Sequence, residues 1–195
     1  MQNELESRLT TDFTGRSYNF SKSLGLHQDC VFYPGDLITI FGPTGSSKTT
    51  LAHNIALGYN HLEDRIDRDA QIPTLYLSLE LAAWYMHRRS LQIAANQSKD
   101  SVTADYNNIY PLVKDKVSHI SVQTVAPTLE QIQTKITELQ PSMVIVDYID
   151  LVETPPSVRG EYEQIKFISH SLSNLAVNLD VIICLLYTSP SPRDG

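Results

Sequence analysis

The residues from Gly42 to Thr49, Gly-Pro-Thr-Gly-Ser-Ser-Lys-Thr, have the types and spacing of a loop that wraps a phosphate. A short apolar run precedes them and a helix-forming segment follows, which is the setting such a loop requires. Consecutive backbone N–H groups must close around a β-phosphate, and the helix N-terminus adds its partial positive charge. Lys48 is spaced to bridge β- and γ-phosphates, and the Thr49 hydroxyl to ligate Mg²⁺. The expected nucleotide-binding set is Gly42, Pro43, Thr44, Gly45, Ser46, Ser47, Lys48, Thr49 and Thr50. One position departs from G-x-x-x-x-G-K-[ST], because Ser47 stands where the second glycine belongs. If the backbone there needs φ > 0 or close phosphate approach, serine carries a cost that Gly45 could relieve. The plain alternative is a Gly/Ser/Thr turn that binds nothing, and the flanking strand, Lys48 and helix weigh against it.

Two carboxylates extend this chemistry. Met143-Val144-Ile145-Val146-Asp147 is a hydrophobic run ended by an acid, the Walker B arrangement. An aspartate at the carboxyl end of a strand can hold Mg²⁺ through water beside the phosphate loop. Many strands end in aspartate, so the signal gains its weight from lying downstream of that loop. Glu80 closes a second apolar run, Tyr76-Leu77-Ser78-Leu79-Glu80. There it could polarise the water that attacks a γ-phosphate. Alternatively it is a first-turn glutamate facing the helix dipole. On these residues alone both readings stand.

The elements that must position these groups read as strands alternating with helices, an α/β pattern with a largely parallel sheet covered on both faces. Leu37 to Phe41 is one strand, opened by the turn Pro34-Gly35-Asp36, and Thr74 to Leu79 is another, bounded by Pro73. Val117 to Val122 is a weaker third, Met143 to Val146 a fourth, and Val181 onward a fifth. Near-continuous apolar runs fit strands buried on both faces. Thr128 with Gln131 begins a capping box, followed at helical spacing by Leu129, Ile132, Ile136 and Leu139. Ile165, Ile168, Leu172, Leu175 and Leu179 line another helix, and Leu81 to Ala95 is free of Gly and Pro. Polar segments near residues 60–72, 98–108 and 153–161 read as loops. Neither an internal repeat nor a second domain is visible.

Composition narrows the class. The chain has 195 residues, 42% hydrophobic and 19% charged, an ordinary globular mix for one domain. No apolar stretch is long enough to span a membrane, and Met1 to Thr10 lacks the cationic start and apolar middle of a signal peptide. Cys30 and Cys184 make no disulfide framework, and the 6 histidines show no metal-ligand spacing with them. The sequons at Asn19 and Asn96 carry no meaning without secretion. The net charge of −7 gives no support to a dedicated nucleic-acid binder. A local groove decides phosphate contacts, however, so an acidic ATPase on nucleic acid stays open. Arg88-Arg89 reads as a solvated helix face or an interface, and Trp84 and Tyr85 as helix packing.

The C-terminal stretch, Cys184 to Gly195, reads CLLYTSPSPRDG. It starts inside an apolar run and turns abruptly Ser/Pro-rich and aperiodic. The string resembles the translation of a transposase adaptor used in sequencing libraries, and such a scar is left out of fold reasoning. A natural flexible terminus is the alternative. The expected division is an N-terminal extension over 1–24, an ATPase domain over 25–183 that is incomplete at its C-terminus, and an adaptor-derived tail over 184–195.

PGDLITIFGPTGSSKTTLAHNIA, LYLSLEL and MVIVDYIDL resemble successive motifs of the RecA-type ATPase core of DnaB-like replicative helicases. That family has a phosphate loop, a strand ending SLEM and a Walker B ending DYLQL. The likeness extends to Arg89 and to Ile168-Ser169-His170-Ser171-Leu172-Ser173-Asn174-Leu175-Ala176, similar to the family's ISRSLKALA. It covers Gly25 to Ile183. The resemblance implies a RecA-like P-loop fold, with Glu80 and Lys48 as catalytic residues and Thr49 and Asp147 at the metal. ATP and Mg²⁺ are the implied ligands. The implied partners are single-stranded DNA, further copies in a homo-oligomeric ring, and a primase or helicase loader, with no membrane. The implied setting is cytoplasmic, in a bacterial cell or a virus-infected host. Asp150 replaces the family's Gln and Ser173 a frequent Lys. The family's sensor Gln would fall near Thr188. Its arginine finger and later DNA-binding loop would follow the end of this chain, and its primase-interacting domain would precede the start.

Three readings follow. The first is the ATP-hydrolysing motor of such a helicase, driving translocation on single-stranded DNA, poorly active as an isolated fragment. The second is a RecA- or RadA-like recombination ATPase with the same core. The third is a nucleotide-binding assembly or regulatory module with little turnover.

Overall fold

A computed structural model describes residues 16–188. Most of the N-terminal extension and the end of the adaptor-like tail lie outside these residues. A five-stranded sheet forms the centre, ordered β3 (Leu37–Gly42), β9 (Ile182–Thr188), β8 (Met143–Asp147), β6 (Thr74–Ser78), β7 (Ile120–Thr124). Every neighbouring pair is parallel. All five carboxyl ends therefore lie along one edge. Two short antiparallel pairs accompany the sheet, β1 (Tyr18–Asn19) with β2 (Val31–Phe32) and β4 (Tyr59–Asn60) with β5 (Arg65–Ile66).

Side chains alternate across the sheet with the period of two that a strand imposes. On one side Tyr76, Met143, Ile145, Ile182, Cys184 and Leu186 pack under α1 (Lys48–Leu57), α2 (Ala83–Ala95), α3 (Lys99–Ala104) and α4 (Tyr106–Val117). On the other, Leu75, Leu77, Val144, Val146, Ile183 and Leu185 meet α5 (Leu129–Leu139) and α6 (Glu161–Leu179). The chain leaves β6 outward to β7 through helices on the first side, and leaves β8 toward β9 through α6 on the second. Connections departing in opposite directions open a crevice beyond the carboxyl ends of β6 and β8, where ligands bind in doubly wound sheets.

The local signals act as their chemistry dictates. Thr128 caps α5 by accepting from the Gln131 backbone N–H at 3.2 Å. The segment 98–108, read from sequence as a loop, instead holds α3 and the start of α4, with Asp105 as the turn between them. Ser98 caps α3 through the Ser101 N–H at 3.1 Å, and Val102, Val113 and Val117 supply the buried contacts that hold α3 and α4. Val117 ends α4, so the third strand starts at Ile120 rather than Val117. The fifth strand runs through Ile183 to Thr188, with Cys184, Leu185 and Leu186 buried between β3 and β8. Those apolar residues satisfy a central strand, so no structural break marks the compositional boundary at Ile183.

Candidate nucleotide-binding site

The phosphate loop joins β3 to α1. Gly45 sits at φ +81° and Ser47 at φ +65°, ψ +22°. The glycine therefore does not relieve the serine, because both positions are left-handed. A non-glycine residue there costs about 1–2 kcal/mol through its Cβ. Nothing lies within 4 Å of a Cβ built on Gly45, so its glycine answers to backbone angle and not to crowding. Ser47 is the residue before the helix, and its side chain makes no capping bond. The first-turn N–H groups have no intrahelical partner, so they face out from the loop with the positive end of the helix dipole. Lys48 Nζ lies back across the loop and donates to Gly42 O at 2.8 Å and Pro43 O at 2.9 Å.

Asp147 ends β8 in register with Ser78, the last residue of β6. The strands remain joined one step further, where the Leu79 N–H donates to Asp147 O at 2.9 Å. The Asp147 carboxylate is nearly buried, and that burial pushes its pKa up. Opposing this are hydrogen bonds from Tyr76 and Thr49 and the charges of Arg89 and Lys48. Tyr76 Oη donates to Asp147 Oδ2 at 2.7 Å. Thr49 and Asp147, the two expected metal residues, thus lie side by side in one cleft. Their hard oxygen donors suit Mg²⁺, which takes one or two protein oxygens and completes its shell with phosphates and water.

Glu80, two residues beyond β6, is exposed and opens onto the same cleft of about 440 Å³. Thr44 to Thr50 of the phosphate loop line it together with Ser78, Glu80, Arg89, Asp147, Tyr148 and Thr188. Of the expected nucleotide-binding residues, Gly42 and Pro43 stand behind this lining as the carbonyls that hold Lys48. Asp150 accepts from the Thr188 N–H at 3.1 Å, which ties the segment after β8 to the end of β9.

Sequence pattern does not single out Tyr76. It is paired with Ile145, which puts it diagonal to Asp147 on the same sheet face, within reach of a long side chain. Its only signal in the sequence is slight: one phenol in an apolar run. Trp84 and Tyr85, which the sequence suggests as helix packing, are 56% and 41% exposed. The buried stripe of α2 is Met86, Ser90, Leu91 and Ala94, which turns both rings outward. They stack on each other at 3.7 Å with the Arg88 guanidinium over both.

Comparison with known proteins bears on the family and the fold. Residues 29–188 match the family described as DnaB-like helicase C terminal domain. No curated protein sequence matches the chain. Among solved structures, one described as an ATPase domain superposes with a TM-score of 0.66 at 19% identity, covering 83% of this chain and 60% of that one. "The Structure Of A DnaB-Like Replicative Helicase And Its Interactions With Primase" gives 0.60 at 18%, covering 80% and 40%. At such identities the superpositions speak for the fold, and the chain spans less than two thirds of either structure. The family match includes the phosphate loop, both acidic strand ends and β9, so the chain belongs to the DnaB-like helicase C-terminal domain family, a family of helicase ATPase domains.

Proposed function

We propose that this chain binds Mg²⁺-ATP in the cleft and hydrolyses it as the motor of a DnaB-like replicative helicase. The observation that carries the reading is the convergence of Lys48, Thr49, Glu80 and Asp147 on one cleft at the carboxyl edge of the sheet. The backbone N–H groups from Thr44 to Thr50 receive the phosphates, and Lys48 exchanges its loop carbonyls for phosphate oxygens. Thr49 and Asp147 hold Mg²⁺, which when bound neutralises phosphate charge. Glu80 takes the proton of the attacking water. Arg89 adds a cation on the Asp147 side.

In this reading the motor works in a homo-oligomeric ring, couples hydrolysis to movement along single-stranded DNA, and meets a primase or loader. On its own the chain turns over slowly, because transition-state charge in such motors is stabilised by an arginine supplied in trans. Thermal unfolding with Mg²⁺-ATP tests the binding step. At a hundredfold excess over Kd, ligand adds about 2.7 kcal/mol of stability. Lys48→Ala removes most of that protection, and equal protection in both proteins overturns the assignment. Glu80→Gln, in an assembly that hydrolyses ATP, retains binding and loses about 10²–10⁴-fold in turnover. An unchanged rate removes Glu80 from the chemistry.

A further inference from the structure

The ring of Tyr76 is wholly buried, in a slot that a phenylalanine would fill equally well. Burying a hydroxyl costs free energy unless it finds a partner. This one finds Asp147 Oδ2 at 2.7 Å, the ordinary length of an O–H···O hydrogen bond. The ring has little freedom to turn away. His53, from the helix that begins at Lys48, stacks on it with centroids 4.5 Å apart and planes 14° from parallel. His53 is itself buried, with Nδ1 3.1 Å from Ser90 Oγ on α2, and Ser90 Oγ reaches Met86 O at 3.4 Å. The ring is thus backed by His53 of the phosphate-loop helix, and His53 is in turn held by Ser90 of the helix that carries Arg89.

We infer that Tyr76 is a positioning residue for the metal site, fixing the rotation of the Asp147 carboxylate so that its remaining lone pairs face Thr49 and the cleft. The inference rests on the nucleotide-binding reading above. Partners that orient a ligating carboxylate without touching the metal typically govern its affinity by 10–100-fold. Tyr76 is suited to that task because it is diagonal to Asp147 across a rigid strand pair, where its hydroxyl reaches the carboxylate without occupying the cleft.

The test is a Mg²⁺ titration of the affinity for a fluorescent ATP analogue, begun in EDTA, on the wild-type chain and Tyr76→Phe. Wild type binds more tightly as Mg²⁺ rises. Tyr76→Phe shifts the Mg²⁺ half-saturation point upward about tenfold while the affinity in EDTA stays within about twofold. A purely structural role would lower both affinities together. Asp147→Asn and the double variant complete a cycle, and Tyr76→Phe has no further effect on the Mg²⁺ response once Asp147 is replaced. Superimposable Mg²⁺ curves for wild type and Tyr76→Phe, or the same shift in the Asp147→Asn background, overturn the inference. Absence of nucleotide binding by wild type would instead overturn the reading on which it rests. Circular dichroism confirms the fold of each variant. Should Tyr76→Phe not fold, Ser90→Ala and His53→Asn loosen the backing of the ring, and an unshifted half-saturation point in both counts against the inference.

Discussion

The two faces of the sheet are built from the same strands yet differ in kind. Beneath α5 and α6 the buried residues are all aliphatic, with Leu75, Leu77, Val144, Val146, Ile183 and Leu185 against Ile132, Ile136, Ile168 and Leu172. Beneath α1 and α2 the layer includes Tyr76, His53, Ser90, Ser78 and Asp147, all buried or nearly so. Polar groups are retained there although each must find a partner. The difference teaches that one face holds the sheet together and the other aims it. The bonded and stacked residues of the polar face lead toward the end of β8, where the cleft begins.

The largest expected effect comes from breaking the aliphatic face. Leu77 is fully buried in β6, between β8 and β7. Leu77→Ala leaves a cavity and costs about 2–5 kcal/mol in urea unfolding. Nucleotide affinity per folded molecule stays as in wild type, because no polar contact of the cleft passes through Leu77. A parallel loss of affinity would erase the division between the faces.

A smaller effect distinguishes the polar face by pH. Burial lowers the His53 pKa from 6.5 to about 3, and the nearby Arg89 charge adds to the shift. The unfolded chain therefore takes up a proton near pH 6.5 that the folded chain refuses, so the histidine's contribution is intact above that pH and declines below it. Linkage gives a loss of about 1.4 kcal/mol per pH unit, or about 2 kcal/mol between pH 7 and pH 5. His87 and His119 are also lowered by burial and act in the same direction. His53→Asn keeps an acceptor near Ser90 and cannot titrate. It is less stable than wild type at pH 7 but loses less on going to pH 5. Identical slopes for the two proteins would show that the folded state accommodates a charged His53.

How much of this is legible in the sequence follows from how far apart the interacting residues lie. The phosphate loop is contiguous, and Asp147 and Glu80 each end an apolar run, so local pattern finds them. Tyr76 meets a carboxylate 71 residues away. Only the register of β6 on β8 puts the two on a diagonal, and no local spacing encodes it. The helices over 98–117 are hidden for another reason. Most of their exposed positions are polar or charged, among them Lys99, Asp100, Asn107, Asn108, Lys114 and Asp115, and the fully buried residues of the two helices are just three valines. Where a helix is held by few contacts, composition reads as loop. At β9 the opposite happens: a change in composition suggests an end, while Cys184, Leu185 and Leu186 have the volume and polarity a central strand needs.

The smallest effect sharpens the contrast between the packed faces and the loop beyond them, where strain replaces packing. Ser47 holds φ +65° without a capping bond from its side chain, so nothing visible in its contacts offsets the left-handed backbone. Ser47→Gly removes about 1–2 kcal/mol of that strain. It also frees the unfolded chain, which returns about 0.4–1 kcal/mol. The net expectation is a gain between roughly zero and 1.5 kcal/mol, a narrow window for a single variant. Ser46→Gly supplies the reference. Ser46 is the adjacent residue, carries no positive φ, and bears only the unfolded-chain cost. Ser46→Gly should therefore lose stability in urea melts while Ser47→Gly holds or gains, and the difference between them isolates the backbone strain at about 1–2 kcal/mol. Nucleotide affinity of Ser47→Gly remains at least that of wild type, since the loop conformation is the one glycine prefers. If both glycine variants lost equal stability, Ser47 would be unstrained, and its departure from the usual glycine would carry no energetic consequence.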